Sequence, residues 1–286
     1  RMGFIIMISV YGSTGFIGST WMKMNFKSVG IDKKENSPHS SSNEILYLIS
    51  TTDNYNVFED SHKDIETNLI KLVDVLDACR KTNKDIIFNF VSSWFVYGLN
   101  SSLNTKENDI CDPRGFYSIT KRAAEQLLIS YCETFDIKYR IFRLTNIIGP
   151  NDKGISKKKN AIQYMMKLLK NGEEVNLYDD GSNIRDYMDV SDTCRAIECC
   201  ILNAPPNQII NISNNDPCSI GKIIKYSKEK LSSKSKINSI ETPHFHKVVQ
   251  VKDVCLNNEK LLSYGYKPKT NILESVDLIL KEMKGV

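Results

Sequence analysis

The chain is predicted to be an α/β protein: a doubly wound parallel sheet with a shortened second βα unit, plus a smaller C-terminal α/β domain. Three observations carry that reading. Short apolar runs alternate with amphipathic ones. A glycine-spaced turn, YGSTGFIG at 11–18, joins the first apolar run to the first amphipathic one. After about residue 150 the alternation becomes irregular.

The apolar runs at 4–10, 45–50, 86–92 and 139–144 read as strands. They are continuously apolar, as strands covered on both faces are. Helices are expected over 16–26, 64–81, 115–135 and 160–171. In 64–81, Ile65, Leu69, Leu72, Val73, Leu76 and Cys79 recur at helical spacing. Residues 27–44 break the pattern. They hold one weak strand candidate, Ser28–Asp32, and a Ser-rich loop where a doubly wound sheet normally carries strand, helix and strand. The division expected is 1–150 and 151–286, with the second part crossing back to the sheet.

Of the 286 residues, 41% are hydrophobic and 25% charged, with a formal net charge of +4. The basic excess is dispersed, its one dense run being Lys157–Lys159, so a nucleic-acid partner is not expected. Eight cysteines form no C-x-x-C pair, and the four histidines are scattered, so no metal site is expected and the thiols read as free. FIIMISV is too short to cross a bilayer. A soluble cytoplasmic protein without membrane contact is the expectation.

Glycines at 12, 15 and 18, with Phe16 and Ile17 between the last two, lie between a strand and a helix. Glycine opens backbone angles closed to other residues and lets a diphosphate approach the main chain. The following helix offers unpaired N–H groups and a positive dipole end. Together they suit a dinucleotide pyrophosphate. An acidic residue at the end of the second strand would hold the adenosine ribose. Asp32 is the candidate and Glu35 the second; the neighbouring Lys33 and Lys34 would instead suit a 2′-phosphate.

Tyr117 and Lys121 form Y-x-x-x-K at the start of GFYSITKRAAEQLLISYCE. Residues i and i+4 share a helix face, so phenol and ammonium point the same way, and the ammonium would favour phenolate. Such a tyrosine can take an alcohol proton while hydride leaves the same carbon. Ser93, in FVSSWFVYG at a strand end, could hold the reacting oxygen.

These motifs resemble the extended short-chain dehydrogenases/reductases, specifically the NAD-dependent nucleotide-sugar epimerase/dehydratase group. GSTGFIG matches that family's glycine motif, and LYLIST looks like its fourth strand. SSWFVYG looks like its serine strand, and Tyr117 and Lys121 match its catalytic pair. FRLTNIIGP, LYDDGSNIRDYMDVSD and YGYKP resemble three further motifs along the chain. The resemblance implies a Rossmann-like fold, catalytic Ser93, Tyr117 and Lys121, and NAD (NADP possible). The cofactor would be held by Gly12, Gly15, Phe16, Ile17, Gly18, Asp32 and Asn68 as well as by Tyr117 and Lys121. Asn146 and Arg185 would bind the diphosphate of a nucleotide sugar.

Where 4,6-dehydratases of the family carry an Asp-Glu pair, this chain has Trp94 and Phe95, which move no proton, so dehydration is not expected. Asp189 and Asp179 also depart from the pattern and are expected to alter the sugar pocket. The reaction expected is 4-epimerisation of a nucleotide-diphosphate sugar through a transient keto-sugar. An NADPH-dependent 4-keto-sugar reductase is the enzymatic alternative, and a non-catalytic dinucleotide-binding regulator the alternative of another class. The resemblance also implies a homodimer through a four-helix bundle, for which Val73, Val75, Leu127, Leu128 and Ile129 are the apolar candidates.

Overall fold

A computed structural model describes residues 7–285 apart from 25, 33, 40, 41, 84 and 250. The start of the expected strand at 4–10, and Lys33, lie outside the described residues.

In chain order, β1 (Ile8–Tyr11), α1 (Phe16–Lys23) and β2 (Ser28–Ile31) form the first unit, and β3 (Glu44–Tyr47) follows directly. Next come α2 (Lys63–Ile65), a π turn at Glu66–Ile70, α3 (Lys71–Thr82), β4 (Ile87–Ser93), α4 (Phe116–Thr134) and β5 (Lys138–Leu144). The rest comprises β6 (Asn146–Ile148), α5 (Ala161–Asn171), β7 (Val175–Tyr178), β8 (Ile184–Asp189), α6 (Val190–Asn203), β9 (Gln208–Ile212), β10 (Pro217–Ser219), α7 (Ile220–Leu231), β11 (Ile237–Ile240), α8 (His244–Val249), α9 (Glu259–Ser263) and α10 (Ile272–Lys284). The main sheet has the order β2-β1-β3-β4-β5-β9, with every neighbouring pair parallel.

The shortened unit has a definite form. β2 pairs with β1, but among the described residues no strand lies beyond β2, and the chain crosses over β1 to reach β3. The crossing is tied down by polar contacts where a helix would pack. The Tyr11 hydroxyl donates to the Asn36 carbonyl at 2.6 Å, and the His39 N–H to Ser9 Oγ at 2.9 Å. EILY at 44–47 therefore supplies the strand beside β1, and of LYLIST only Leu46 and Tyr47 lie in it.

Two cores cover the faces of the main sheet. Val10, Trp21, Leu46, Phe142, Ile197 and Ile212 pack together on the α1 and α6 face. Tyr11, Ile45, Tyr47, Leu72, Leu76, Phe88 and Leu128 pack on the α3 and α4 face. A third core joins α5, α7 and α10 to β7 and β8 through Met166, Leu177, Ile224 and Val276. The chain crosses back through α6 and β9. Val75 and Leu128, named above as candidates for a dimer face, are fully buried in the second core. The spacing that marks a helix as apolar does not say which stripe meets the sheet. The exposed apolar residues here include Phe116, Ile119 and Leu127 on α4, with Ile65 at the end of α2 and Ile70 in the π turn. No helix of the described residues is long and apolar enough to cross a membrane.

α4 is fixed by a buried ionic clamp. Glu125 meets Arg143 of β5 bidentately, at 3.0 and 2.8 Å, and Arg122 at 2.8 Å. Burial works against the Glu125 carboxylate, but Arg143 outweighs it and holds the carboxyl below its usual range. Because Glu125 lies four residues after Lys121, the clamp fixes the helix that presents the Y-x-x-x-K pair.

Candidate active site

The glycine turn shows why its residues are glycines. Gly12 has φ +82°, the left-handed region. Gly15 is the N-cap of α1, and its N–H donates to the Gly12 carbonyl at 3.1 Å. A Cβ on Gly18 would lie 2.2 Å from that same carbonyl oxygen. The helix start is thus pressed onto the turn, leaving the main chain open toward a ligand. Gly18→Ala must push α1 away; overpacking costs roughly 1–3 kcal/mol, so dinucleotide affinity is expected to fall about tenfold or more. Calorimetric titration checks this, and unchanged affinity would contradict it.

Gly30 of β2 lies against Ser13, where an added Cβ would come within 2.6 Å of the Ser13 hydroxyl. The end of β2 therefore abuts the glycine turn, and Asp32 follows it, exposed, accepting the Lys34 N–H at 3.0 Å. Glu35, the second candidate, lines a cavity of about 400 Å³ under the crossing segment; Asp32 does not.

A cavity of about 390 Å³ runs from α1 to the third core. Phe16, Ile17, Ser93, Tyr117, Lys121, Asn146 and Arg185 all line it. The chain enters α4 through Gly115 (φ +97°), where a Cβ would lie 2.5 Å from Asn54 Oδ1. This tight entry puts Tyr117 in the first turn of α4, buried, with the Phe95 ring edge-on at 5.9 Å. Ser93 closes β4 and accepts the Phe95 N–H at 3.4 Å.

The charges differ from the sequence expectation. Burial pushes Tyr117 up to about 12; the Ser93 hydroxyl opposes this, Asp64 and Asp53 add to it, and Ser50 opposes it. Lys121 lines the same cavity. Its Nζ donates to the Val91 carbonyl at 2.6 Å and lies 4.2 Å from the Phe90 ring centroid, and burial lowers it to about 7. Burial is the largest influence on the phenol, and the Lys121 Nζ is anchored toward β4. Two of its three N–H donors remain for a ligand.

Three further site residues behave differently from expectation. Asn68 does not line the cavity. Its amide oxygen accepts from Ser50 Oγ and the Thr51 N–H, both at 3.0 Å, and its NH₂ donates to Thr51 Oγ1 at 2.8 Å and Thr120 Oγ1 at 3.0 Å. That uses all four of its sites, so Asn68 fixes the loop after β3. The π turn containing it, a feature common at functional sites, was not legible in the sequence. Asn146 lines the cavity but is held at both ends, by Trp94 Nε1 at 3.3 Å and by the Asp186 carbonyl at 2.9 Å. The Arg185 guanidinium donates to the carbonyls of Ile184 at 2.8 Å, Val251 at 2.7 Å and Lys252. It ties down the 251–252 segment, and only part of its face meets the cavity. Asp189 caps α6 through the Ser191 N–H at 2.7 Å, and Asp179 accepts from Thr242 at 2.8 Å on the surface. Neither lines the cavity.

Arg185→Ala separates two roles. Grip on a diphosphate would raise KM with kcat nearly unchanged. The hydrogen bonds lead us to expect lower thermal stability as well, because three carbonyls lose their donor. Unchanged KM and unchanged stability together would contradict both roles.

A family model, the NAD dependent epimerase/dehydratase family, matches residues 39–213, more than half of the chain. The glycine turn precedes the matched span. A Methanocaldococcus jannaschii relative described as "Putative UDP-glucose 4-epimerase" is 24% identical over 263 residues, 92% of this chain and 80% of that protein. Among solved structures, UDP-glucuronic acid 4-epimerase from Bacillus cereus, in complex with UDP-glucuronic acid and NAD, superposes with TM-score 0.86 at 20% identity, over 98% of this chain and 99% of its own. UDP-glucose 4-epimerase from Thermotoga maritima gives 0.85 at 21% identity, over 98% and 99%. At these identities the structural likeness establishes the fold. With the glycine turn, the serine strand and the Y-x-x-x-K helix converging on one cavity, the family match supplies the conclusion: the chain belongs to the NAD dependent epimerase/dehydratase family.

Proposed function

We propose that the chain is an NAD-dependent epimerase acting at C4 of a nucleotide-diphosphate sugar. The observation that carries this is the convergence of Ser93, Tyr117 and Lys121 on one cavity, with the glycine turn and α1 at one end and Asn146 and Arg185 at the other. The relatives described as 4-epimerases support it. When bound, NAD supplies a reversible hydride acceptor. Tyr117 takes the C4 hydroxyl proton and later returns it. Ser93 donates a hydrogen bond to the sugar oxygen. Lys121 offers its two remaining N–H groups to the cofactor ribose. Asp32 or Glu35 would hold the adenosine ribose. Trp94 and Phe95 stack at 4.0 Å beside Tyr117 and offer no acid or base for dehydration. Residues 1–150 would serve the dinucleotide and 151–286 mainly the sugar nucleotide.

One observation favours a second reading. The protonated Tyr117 suits a proton donor to a ketone, as an NADPH-dependent 4-keto-sugar reductase requires. Incubating the protein with a panel of nucleotide sugars, with proton NMR and mass identification of the retained cofactor, tests both. Interconversion of C4 epimers with NAD retained supports the epimerase. Turnover only of keto-sugars with NADPH would replace it with the reductase. Bound cofactor without turnover of any sugar would leave the non-catalytic regulator.

We also propose a homodimer through the faces of α4 and of the α2–π-turn segment that leads into α3. Phe116, Ile119 and Leu127 are each exposed by 40% or more, and Ile65 and Ile70 extend the patch. Such patches mark interfaces. Sedimentation is expected to give twice 32.6 kDa, and a 32.6 kDa species at micromolar concentration would refute it. The eight free cysteines, most of them buried, suit the reducing cytoplasm, where we place the protein.

A further inference from the structure

Ser93 and Tyr117 fix where the reacting oxygen sits, and an aromatic wall stands beside that place. The chain leaves β4 in a 3₁₀ turn, Trp94–Tyr97, capped by Ser93. Trp94 and Phe95 both line the cavity. Their rings stack at 4.0 Å with 23° between their planes, and the Tyr117 ring meets Phe95 at 5.9 Å and 83°. Trp94 is buried, with its Nε1 donating to Asn146 and the Arg185 guanidinium 5.7 Å from its ring centroid. It packs with Val96, Tyr97, Val254 and Leu256, and Phe95 is only partly buried against that cluster. Trp94 is thus the fixed backing of the wall, and Phe95 is the part that adjoins the phenol.

The wall's own N–H donors are spent. The Trp94 indole N–H goes to Asn146, and the Phe95 main-chain N–H goes to Ser93 Oγ. Among the described residues, the cations lining the cavity are Lys121, Lys158, Lys159 and Arg185, and each already has a partner. Lys121 Nζ meets the Val91 carbonyl, and its remaining donors are assigned above to the cofactor ribose. Lys158 pairs with Glu59, and Lys159 lies 3.5 Å from Asp152. Arg185 meets the carbonyls of Ile184, Val251 and Lys252. A carboxylate set against such a wall loses its water and gains no donor, which is costly. A methyl group there sheds water and gains dispersion contact, which is favourable.

Epimerisation brings both flanks of the reacting carbon to this wall. The two hydride steps need opposite faces of one carbon, while its oxygen stays between Ser93 and Tyr117. The sugar ring therefore turns between the steps, the groups on either side of C4 exchange places, and each lies beside Phe95 once. Resting on the epimerase reading, we propose that Phe95, backed by Trp94, is a specificity-determining residue: it selects a sugar whose C5 substituent is uncharged, methyl before hydroxymethyl, and rejects a hexuronate. The C3 hydroxyl is common to these sugars and does not discriminate among them.

Calorimetric titration of the NADH-loaded protein tests this. The ligands are the UDP-linked 6-deoxyhexose, hexose and hexuronate, each in both C4 configurations, beside UDP alone, with the dTDP series run in parallel. NADH leaves these alcohols unreacted, so binding is read without turnover, and the two configurations present opposite flanks to the wall. In at least one configuration the hexuronate is expected to bind about 100-fold or more weaker than the 6-deoxyhexose, and the hexose about tenfold weaker. Phe95→Thr puts a hydroxyl in the wall and is expected to cut the hexuronate ratio about tenfold or more, with affinity for the nucleoside diphosphate alone unchanged. Phe95→Leu stays apolar and keeps the ratio. The parent ratios test the wall even where a variant fails to fold. Equal binding of hexuronate and 6-deoxyhexose in both configurations overturns the proposal and leaves the epimerase reading standing, and so does a ratio untouched by Phe95→Thr. Binding of no sugar in either series overturns the nucleotide-sugar reading, and the proposal with it.

Discussion

Tyr117→Phe is expected to lower kcat about 100- to 10,000-fold while leaving the fold and cofactor affinity nearly unchanged. The substitution deletes one oxygen in the first turn of α4. The Phe95 ring still finds an aromatic edge at 117, and Gly115 still sets the helix entry. What is lost is the group that receives and returns the hydroxyl proton. Loss of a group that acts only in the transition state lowers kcat and kcat/KM together. Steady-state kinetics with a saturating nucleotide sugar, beside a thermal melt, checks this. Full activity in the variant would end the catalytic reading of Tyr117. A melt displaced as far as the rate would show that the phenol is structural.

Glu125→Ala is expected to cost about 3–5 kcal/mol of stability. Glu125 is fully buried between Arg143 and Arg122. Arg143 is itself buried, stacked 4.7 Å from the Tyr97 ring centroid, with one further bond to the Glu107 carbonyl at 3.1 Å. Removing the carboxylate leaves a buried guanidinium without its counterion. The double variant Glu125→Ala, Arg143→Met should regain most of the loss, because the cost lies mainly in the orphaned charge. The Glu125 carboxyl is held below its usual range, so its contribution is full above the ordinary glutamate pKa and fades as pH falls through the lowered value. Urea unfolding at neutral and acid pH reads both effects. A single variant within about 1 kcal/mol of the parent would contradict the clamp.

What the sequence disclosed, and what it hid, divides along physical lines. Gly12, Gly15 and Gly18 were legible because each meets a local backbone demand that survives in the letters. Tyr117 and Lys121 were legible because i and i+4 share a helix face. Their electrostatics were not: the Val91 carbonyl that holds Lys121 lies thirty residues upstream, and burial is a property of the packed sheet. Asn68 could be placed but not given its role, because the π turn that aims its amide at Ser50 and Thr51 is invisible to a 3.6-residue period. Arg185 could be placed at the cavity, but its second role was hidden because its carbonyl partners, 251–252, return from the far end of the chain. Val75 and Leu128 were taken as outward because apolar residues all around a helix do not say which side meets the sheet.

The central claim is that C4 is oxidised and reduced again within one cavity, with Tyr117 moving the proton. Its most direct measurement is the fate of deuterium at C4 of a nucleotide sugar that the protein epimerises, followed by NMR. Hydride held on a retained cofactor predicts that the label stays at C4 in the epimer and does not appear in water. Washout of the label to solvent, or epimerisation undiminished in a chain stripped of dinucleotide, would contradict the account.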